Sequence, residues 1–396
     1  MKKTLIAATA ATLAMTGAAN AAGHAVKLGV LLGYTGPIES MTPNMASGAE
    51  LAMKEISDSG ALLDGKVLVP VRADSTCIDA AASTAAAERL ITSDGVAAIV
   101  GADCSGVTTA TLQNVAVPNG IVMISPSATS PALTDVEDNG LFFRTAPSDA
   151  RQGQIVTKIL QSKGVSEIAI TYTNNDYGKG LADSIETNFK AAGGTVTINA
   201  AHEDGKADYS AEVGALAAAG GETLVVAGYL DQGGAGIIQA SLDSGAFDTF
   251  YLPDGMTGQP LVDNIGSDLN GSYGAYPGTD SPGAAAFADM AKAGGFEATA
   301  FAAESYDAAA LIAFGMQAAG STKSADFAGF IMDAANAPGE KIFPGELAKG
   351  LKLLAEGKDI DYVGATAVEL IGPGESAGAY QEVEIIDGKM TTVGFH

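Results

Sequence analysis

From residue 26 onward the chain alternates short apolar, β-rich runs with longer Ala-rich segments, and this alternation constrains the fold more than any other feature. Residues 26–32, 67–71, 96–100 and 121–124 read as strands. Between the first two, Ala49, Ala52, Met53 and Ile56 share one helical face, and Gly60 closes the helix at its C′ position. Asp79 is read as the N-cap of an Ala-rich helix over 79–91, and a further helix starts near Ser105. Strands separated by helices imply βαβ units and a parallel sheet.

A second series follows Phe142-Phe143-Arg144-Thr145, with strands at 167–172, 195–199, 223–227 and 249–252. Helices fit between them at 150–161, 177–192, 211–219 and 234–244. Two such series predict two α/β lobes of one architecture, although no close sequence repeat accompanies them. From Pro282 the pattern turns helical (284–292, 301–319, 324–334, 346–356) and ends in strands at 365–371, 381–386 and 390–395. The helical block carries no strands of its own, so it is expected to pack back onto the first lobe. The chain must then cross between lobes more than once.

The N-terminus reads as an export signal. Lys2 and Lys3 precede an apolar stretch over 5–16 and an Ala19-Asn20-Ala21 cleavage site, so residues 1–21 are expected to be removed. The stretch is too short for a bilayer span, and no Cys near the cleavage site offers a lipid anchor. The formal charge of −25 becomes −27 without Lys2 and Lys3, a balance that repels nucleic acid and anionic membranes. The two cysteines, Cys77 and Cys104, are an even pair in an oxidising compartment and read as one disulfide. His24, His202 and His396 show no metal-ligand spacing, and no cofactor is implied.

The strands ending near Val100 and Ile124 each run into a turn crowded with hydroxyls: Ser105, Thr108 and Thr109 after one, Ser125, Ser127, Thr129 and Ser130 after the other. Ligands of open α/β sheets sit beyond the carboxyl ends of the strands. Such turns suit a small anion, and no general base stands beside them.

Several segments, in order and spacing, resemble periplasmic substrate-binding proteins of ABC importers, in the leucine/isoleucine/valine-binding branch. They are Gly33-Tyr34-Thr35-Gly36-Pro37, Cys104-Ser105, Ser125-Pro126-Ser127-Ala128-Thr129, Phe143-Arg144-Thr145 and Tyr177-Gly178-Lys179-Gly180. Gly228-Tyr229, Pro253-Asp254-Gly255 and Ser305-Tyr306-Asp307-Ala308-Ala309 complete the set, which covers essentially the whole mature chain. The resemblance implies a type I binding fold: two Rossmann-like lobes joined by a three-segment hinge, with the ligand in the cleft. It divides the chain into a first lobe of 22–146 and 277–356 and a second of 147–276 and 357–396. It implies that Ser105, the backbone at Ser127 and Ala128, and Thr129 hold a ligand carboxylate, with Tyr177, Tyr229 and Asp254 contributed from the other lobe. Asp254 would face an α-ammonium, and Met41 would wall the side-chain pocket. Relatives often carry Glu at the first position and an aromatic at the second. Cys77 and Cys104 match the family's disulfide positions.

Each residue also has a plainer reading. Ser105 reads equally as an N-cap, Thr129 as a turn residue before Pro131, Asp254 as half of an Asp-Gly turn, and the tyrosines as packing. Tyr34 is a further candidate wall, Glu304 a second polar contact, Tyr306 core, and Glu39 a solvated charge. Taken together, the reading is a monomeric periplasmic receptor that captures an L-amino acid and delivers it to a membrane permease, with no enzymatic activity. The alternatives are an amide, urea or aromatic-acid binder, a ligand-sensing subunit of a receptor, and a hydrolase using Ser105 or Cys104. The last finds no Gly-x-Ser-x-Gly elbow, His-Glu-x-x-His or Walker A loop.

Overall fold

A computed structural model describes residues 24–396, so the expected export signal lies outside the described residues. The first sheet contains β1 (Ala25–Leu32), β2 (Val67–Asp74), β3 (Ala98–Gly101), β4 (Met123–Ser125) and β5 (Phe142–Pro147). The second contains β6 (Glu167–Thr173), β7 (Thr195–His202), β8 (Thr223–Ala227), β9 (Phe250–Leu252) and β10 (Tyr273–Pro277). The remaining strands are β11 (Glu340–Ile342), β12 (Ile360–Tyr362), β13 (Leu370–Ile371), β14 (Glu375–Ser376), β15 (Tyr380–Ile386) and β16 (Lys389–Phe395). The sheet orders are β13-β14-β5-β4-β3-β1-β2 and β16-β15-β10-β9-β8-β6-β7. Five parallel strands thus form the body of each lobe, as the alternation predicts.

Local chemistry accounts for the element ends. Asp79 caps its helix by accepting the Ala81 and Ala82 N–H groups at 2.9 and 3.0 Å, and Gly60 ends the Thr42–Ser59 helix in the left-handed conformation. The helical block does pack onto the first lobe. Its long helix Ala302–Ala319 is buried on nearly all sides, including Leu311, Ile312, Phe314 and Met316, each worth about 1.5–3 kcal/mol of burial. It crosses the Thr42–Ser59 helix at Gly48, where an added Cβ would lie 2.1 Å from the Ala302 carbonyl oxygen.

Two expectations are corrected. The block is not strandless: β11 and β12 pair in parallel as a small separate sheet. The last crossing does not fall at 357, because β14 pairs with β5 in the first sheet and the chain changes sheet between Ser376 and Tyr380. Arg144 supplies the reason. It is fully buried on β5 and forms an ion pair with Glu375, which keeps this segment on the first lobe, since a buried guanidinium needs its carboxylate. Strands of two residues leave no periodicity to read.

Candidate functional site

The carboxyl ends of β3 and β4 meet the cleft as neighbours, as expected. Ser105 opens the helix Ser105–Thr111, and its Oγ accepts the Ser130 N–H at 3.1 Å. With that acceptor role filled, the hydroxyl proton is free to donate. Ser125 organises the second turn: it donates to the Ala102 carbonyl at 2.5 Å and accepts the Ala128 N–H at 2.9 Å. Ser127 donates through Oγ to the Asp103 carbonyl at 3.0 Å. The first-lobe rim is therefore a pre-assembled turn in which Ser125 and Ser127 hold the backbone and the Ser105 hydroxyl is left to donate.

The disulfide between Cys77 and Cys104 staples this rim. The strands before the two cysteines, β2 and β3, are not adjacent; β1 lies between them, and the bond spans it at their shared edge. Space there is tight. Gly36 has φ of 107°, and a Cβ on it would lie 2.4 Å from the Thr76 carbonyl oxygen. Beneath the staple, buried Asp103 accepts the Gly33 N–H at 2.5 Å and the Ser75 hydroxyl at 2.6 Å. Burial pushes its carboxyl above the usual range, and these donors hold it down.

The second lobe presents a different surface. Tyr177, on the helix Asp176–Ala191, stacks on Tyr229 with ring centres 5.1 Å apart and planes 19° apart. The Tyr177 hydroxyl donates to Asp254 Oδ1 at 2.6 Å, and the Gly255 N–H donates to the same oxygen at 2.8 Å. Oδ2 of Asp254 is buried with no hydrogen-bond partner among the described residues. Burial pushes the Asp254 carboxyl up, while Tyr177 and Gly255, both neutral, hold it down. The same burial, with the nearby carboxylates, keeps Tyr177 protonated and donating.

These faces meet around one small cavity lined by Ile38, Met41, Asp103, Cys104, Ser105, Ser127, Tyr177, Tyr229, Asp254, Gly255 and Phe301. Its mouth is bridged between lobes: the Ser40 N–H donates to Asp231 Oδ2 at 2.9 Å, and the Asp231 N–H to the Pro37 carbonyl at 3.1 Å. A larger groove over Ser130–Ala132 and two second-lobe helices is open to solvent, and its charges Lys179 and Asp183 already pair with each other.

Of the expected residues, Ser105, Ser127, Tyr177, Tyr229, Asp254 and Met41 come together here. Ala128 and Thr129 do not line the cavity. Both are fully buried behind it, and the Ala128 N–H is committed to Ser125. The Thr129 hydroxyl stands beside Asp149 without hydrogen-bond geometry to any described residue. Tyr34 lies instead under Arg72, 5.6 Å from the guanidinium. Glu304 lines a separate cavity at the hinge with Tyr276, Thr299 and Gln381, and Tyr306 is core, donating to Glu55. Ile38, Gly255 and Phe301 were missed. Phe301 precedes the long helix with φ of 64°, a left-handed conformation that costs about 1 kcal/mol for a residue with a side chain. No sequence pattern signals that.

A family model described as periplasmic binding protein matches residues 25–344. The chain belongs to that family. The Leu/Ile/Val-binding protein BraC3 of Rhizobium johnstonii is 30% identical over 82% of this chain and 87% of its own. Leu/Ile/Val-binding protein homolog 1 of Brucella melitensis is 31% identical over 81% and 85%. Among solved structures, the leucine binding protein LivK of Thermotoga maritima superimposes with a TM-score of 0.79 at 20% identity, covering 93% of this chain and 98% of its own. A Rhodopseudomonas palustris solute binding protein in complex with p-hydroxybenzoic acid gives 0.77 at 18% identity, covering 94% and 97%. The two-lobed α/β architecture is shared with both. No helix among the described residues of this binding protein is long and apolar enough to cross a membrane.

Proposed function

We propose that this binding protein captures a free L-α-amino acid, branched-chain or otherwise apolar, between its lobes and hands it to the permease of an ABC importer. One observation carries the reading: buried Asp254, with an unpartnered oxygen, lines the same cavity as Ser105, whose hydroxyl proton is uncommitted at the start of a helix. That pairing suits a zwitterion, with its carboxylate on the Ser105 hydroxyl and its ammonium on Asp254. Ile38, Met41, Phe301 and the stacked tyrosines supply apolar walls for a hydrocarbon side chain. The Leu/Ile/Val-binding relatives support the class. The protein would be exported, cleaved after Ala21, and work in the periplasm as a monomer without a cofactor. Ligand closure would follow from contacts made only in the closed form.

A second reading, an aromatic acid, draws on the stacked Tyr177 and Tyr229 and on the p-hydroxybenzoate-bound neighbour. Asp254 disfavours it, because a ligand carrying only a carboxylate would bring like charges together. Catalysis lacks parts: Cys104 is consumed by the disulfide, and His202, which burial holds neutral with a pKa of about 4, lies outside the cavity.

A thermal-shift panel tests the assignment. Leucine, isoleucine, valine, phenylalanine and alanine are compared with their deaminated acids and amides and with 4-hydroxybenzoate. Stabilisation by apolar amino acids alone is expected. Equal shifts from leucine and its deaminated acid would overturn the role of Asp254.

A further inference from the structure

From Asp254 in the cleft back to where the lobes join, a group of polar side chains is buried without partners among the described residues. Both carboxyl oxygens of Asp149, both amide atoms of Gln152, the hydroxyls of Thr129, Tyr251 and Tyr380, and Oδ2 of Asp254 lack a hydrogen bond among the described residues. All six residues are at most 1% exposed. Protein interiors tolerate few such groups, each at a cost of about 1–3 kcal/mol. A concentration of them beside a ligand cavity points to a function for the site in its filled state.

Asp149 is central to the group. It begins the helix Asp149–Ser162, just after the first crossing between lobes, and its N–H donates to the Thr129 carbonyl at 2.8 Å. Its carboxyl stands beside the Thr129 hydroxyl, within electrostatic reach of Asp254, while Gln152 lies against Asp254 itself. The cation acting on Asp149 is Arg144, which is already engaged by Glu375 and by the Ala128 and Ser130 carbonyls at 3.2 and 2.8 Å. Two buried carboxyls therefore share a region without a dedicated positive charge.

We propose that Asp149 is a positioning residue for the cationic end of the site: with Asp254 it forms a buried carboxyl pair that shares a proton while the cleft is empty and releases it to solvent when an α-ammonium enters. The inference rests on the amino-acid reading above. The step is a simple ionisation, in which the carboxyl O–H bond breaks, the proton passes to buffer, and the ammonium keeps its three protons. Burial holds both carboxyls above the ordinary carboxylate range, Asp149 further so by repulsion from Asp254, and an adjacent ammonium draws them down. The other groups facing Asp149 do not compete. Tyr177 and Tyr380 are pushed up by burial and stay neutral, and the Arg144 guanidinium is held by Glu375.

Leucine binding is measured by calorimetry at pH 5.5 and pH 8, in buffers of different ionisation enthalpy, for the wild type, Asp149→Asn and, as a carboxyl exposed on the outer groove, Asp183→Asn. The wild type is expected to release a proton at pH 5.5, to release less at pH 8, and to bind about tenfold tighter at the higher pH. Asp149→Asn should lose at least half of the release and most of the pH slope, whereas Asp183→Asn should keep both. A wild type that binds leucine without releasing protons at pH 5.5 overturns the inference, whatever the variants do. So does an Asp149→Asn protein with unchanged release. A wild type that binds none of the amino acids overturns the amino-acid reading as well.

Discussion

The two walls of the cleft handle charge in opposite ways. On the first-lobe wall most polar groups are already engaged: Ser105 accepts from Ser130, Ser125 ties two backbone segments together, Ser127 donates to the Asp103 carbonyl, and the Asp103 carboxyl has both oxygens satisfied by Gly33 and Ser75. The second-lobe wall buries a carboxyl, satisfies one of its oxygens and leaves the other open. A wall whose polar groups are satisfied within the protein costs little when the cleft is empty. An open buried carboxylate costs much more, and that cost is recovered only when a cation arrives. Affinity for anything carboxylated should therefore come from the first wall, and discrimination for the ammonium from the second.

The largest effect that could break this comparison is at Asp254. Asp254→Ala should weaken leucine binding by about 3–5 kcal/mol, erasing its thermal shift, while the deaminated acid binds no worse than before. Parallel losses for both ligands would remove the distinction between the walls.

Glu304 tests the same physics away from the ligand. It is a buried carboxyl at the hinge, and burial raises it from 4.5 to about 8. The folded state therefore keeps a proton that the unfolded chain loses. The associated stability is complete below pH 4.5 and is lost as pH rises through 8, by roughly 4–5 kcal/mol. Melting curves from pH 4.5 to 9 should show this decline in the wild type and a flatter profile in Glu304→Gln. A decline equally steep in the variant would assign the pH dependence to other groups.

The first wall depends on its staple. Replacing both Cys77 and Cys104 with Ser should cost about 3 kcal/mol for a loop closed over 27 residues. Denaturant titration gives that number. It should lower leucine and deaminated-acid affinities together, since it loosens donors common to both ligands.

The smallest effect is at Ser105. Ser105→Ala should weaken both ligands by about 1 kcal/mol, a factor of roughly five, because one neutral hydrogen bond is lost. A loss confined to leucine would place the ammonium, and not the carboxylate, on this wall.

Legibility in the sequence followed the range of the interaction. Asp79 as a cap, Gly60 as a helix stop and the paired strands β3 and β4 were all readable, because hydrogen bonds within a few residues or long periodic runs decide them. Six of the eight expected cleft residues converge, carried by short motifs at strand ends. Ala128 and Thr129 lie behind the cavity lining, the Ala128 N–H captured by Ser125 and the Thr129 hydroxyl beside Asp149, contacts that no local pattern signals. Phe301 went unread because a left-handed φ leaves no trace in composition.

The sequence alone determined the two α/β series, the cysteine pair and the hydroxyl-rich turns, because hydrophobic period and turn chemistry are local properties. The tertiary structure alone decided where the chain last changes lobe, through the buried pairing of Arg144 with Glu375 across 231 residues. It also brought Asp149 near Asp254, more than a hundred positions along the chain, in a space with too few donors. Burial and charge depend on what surrounds a group after folding, and no window of sequence contains that information.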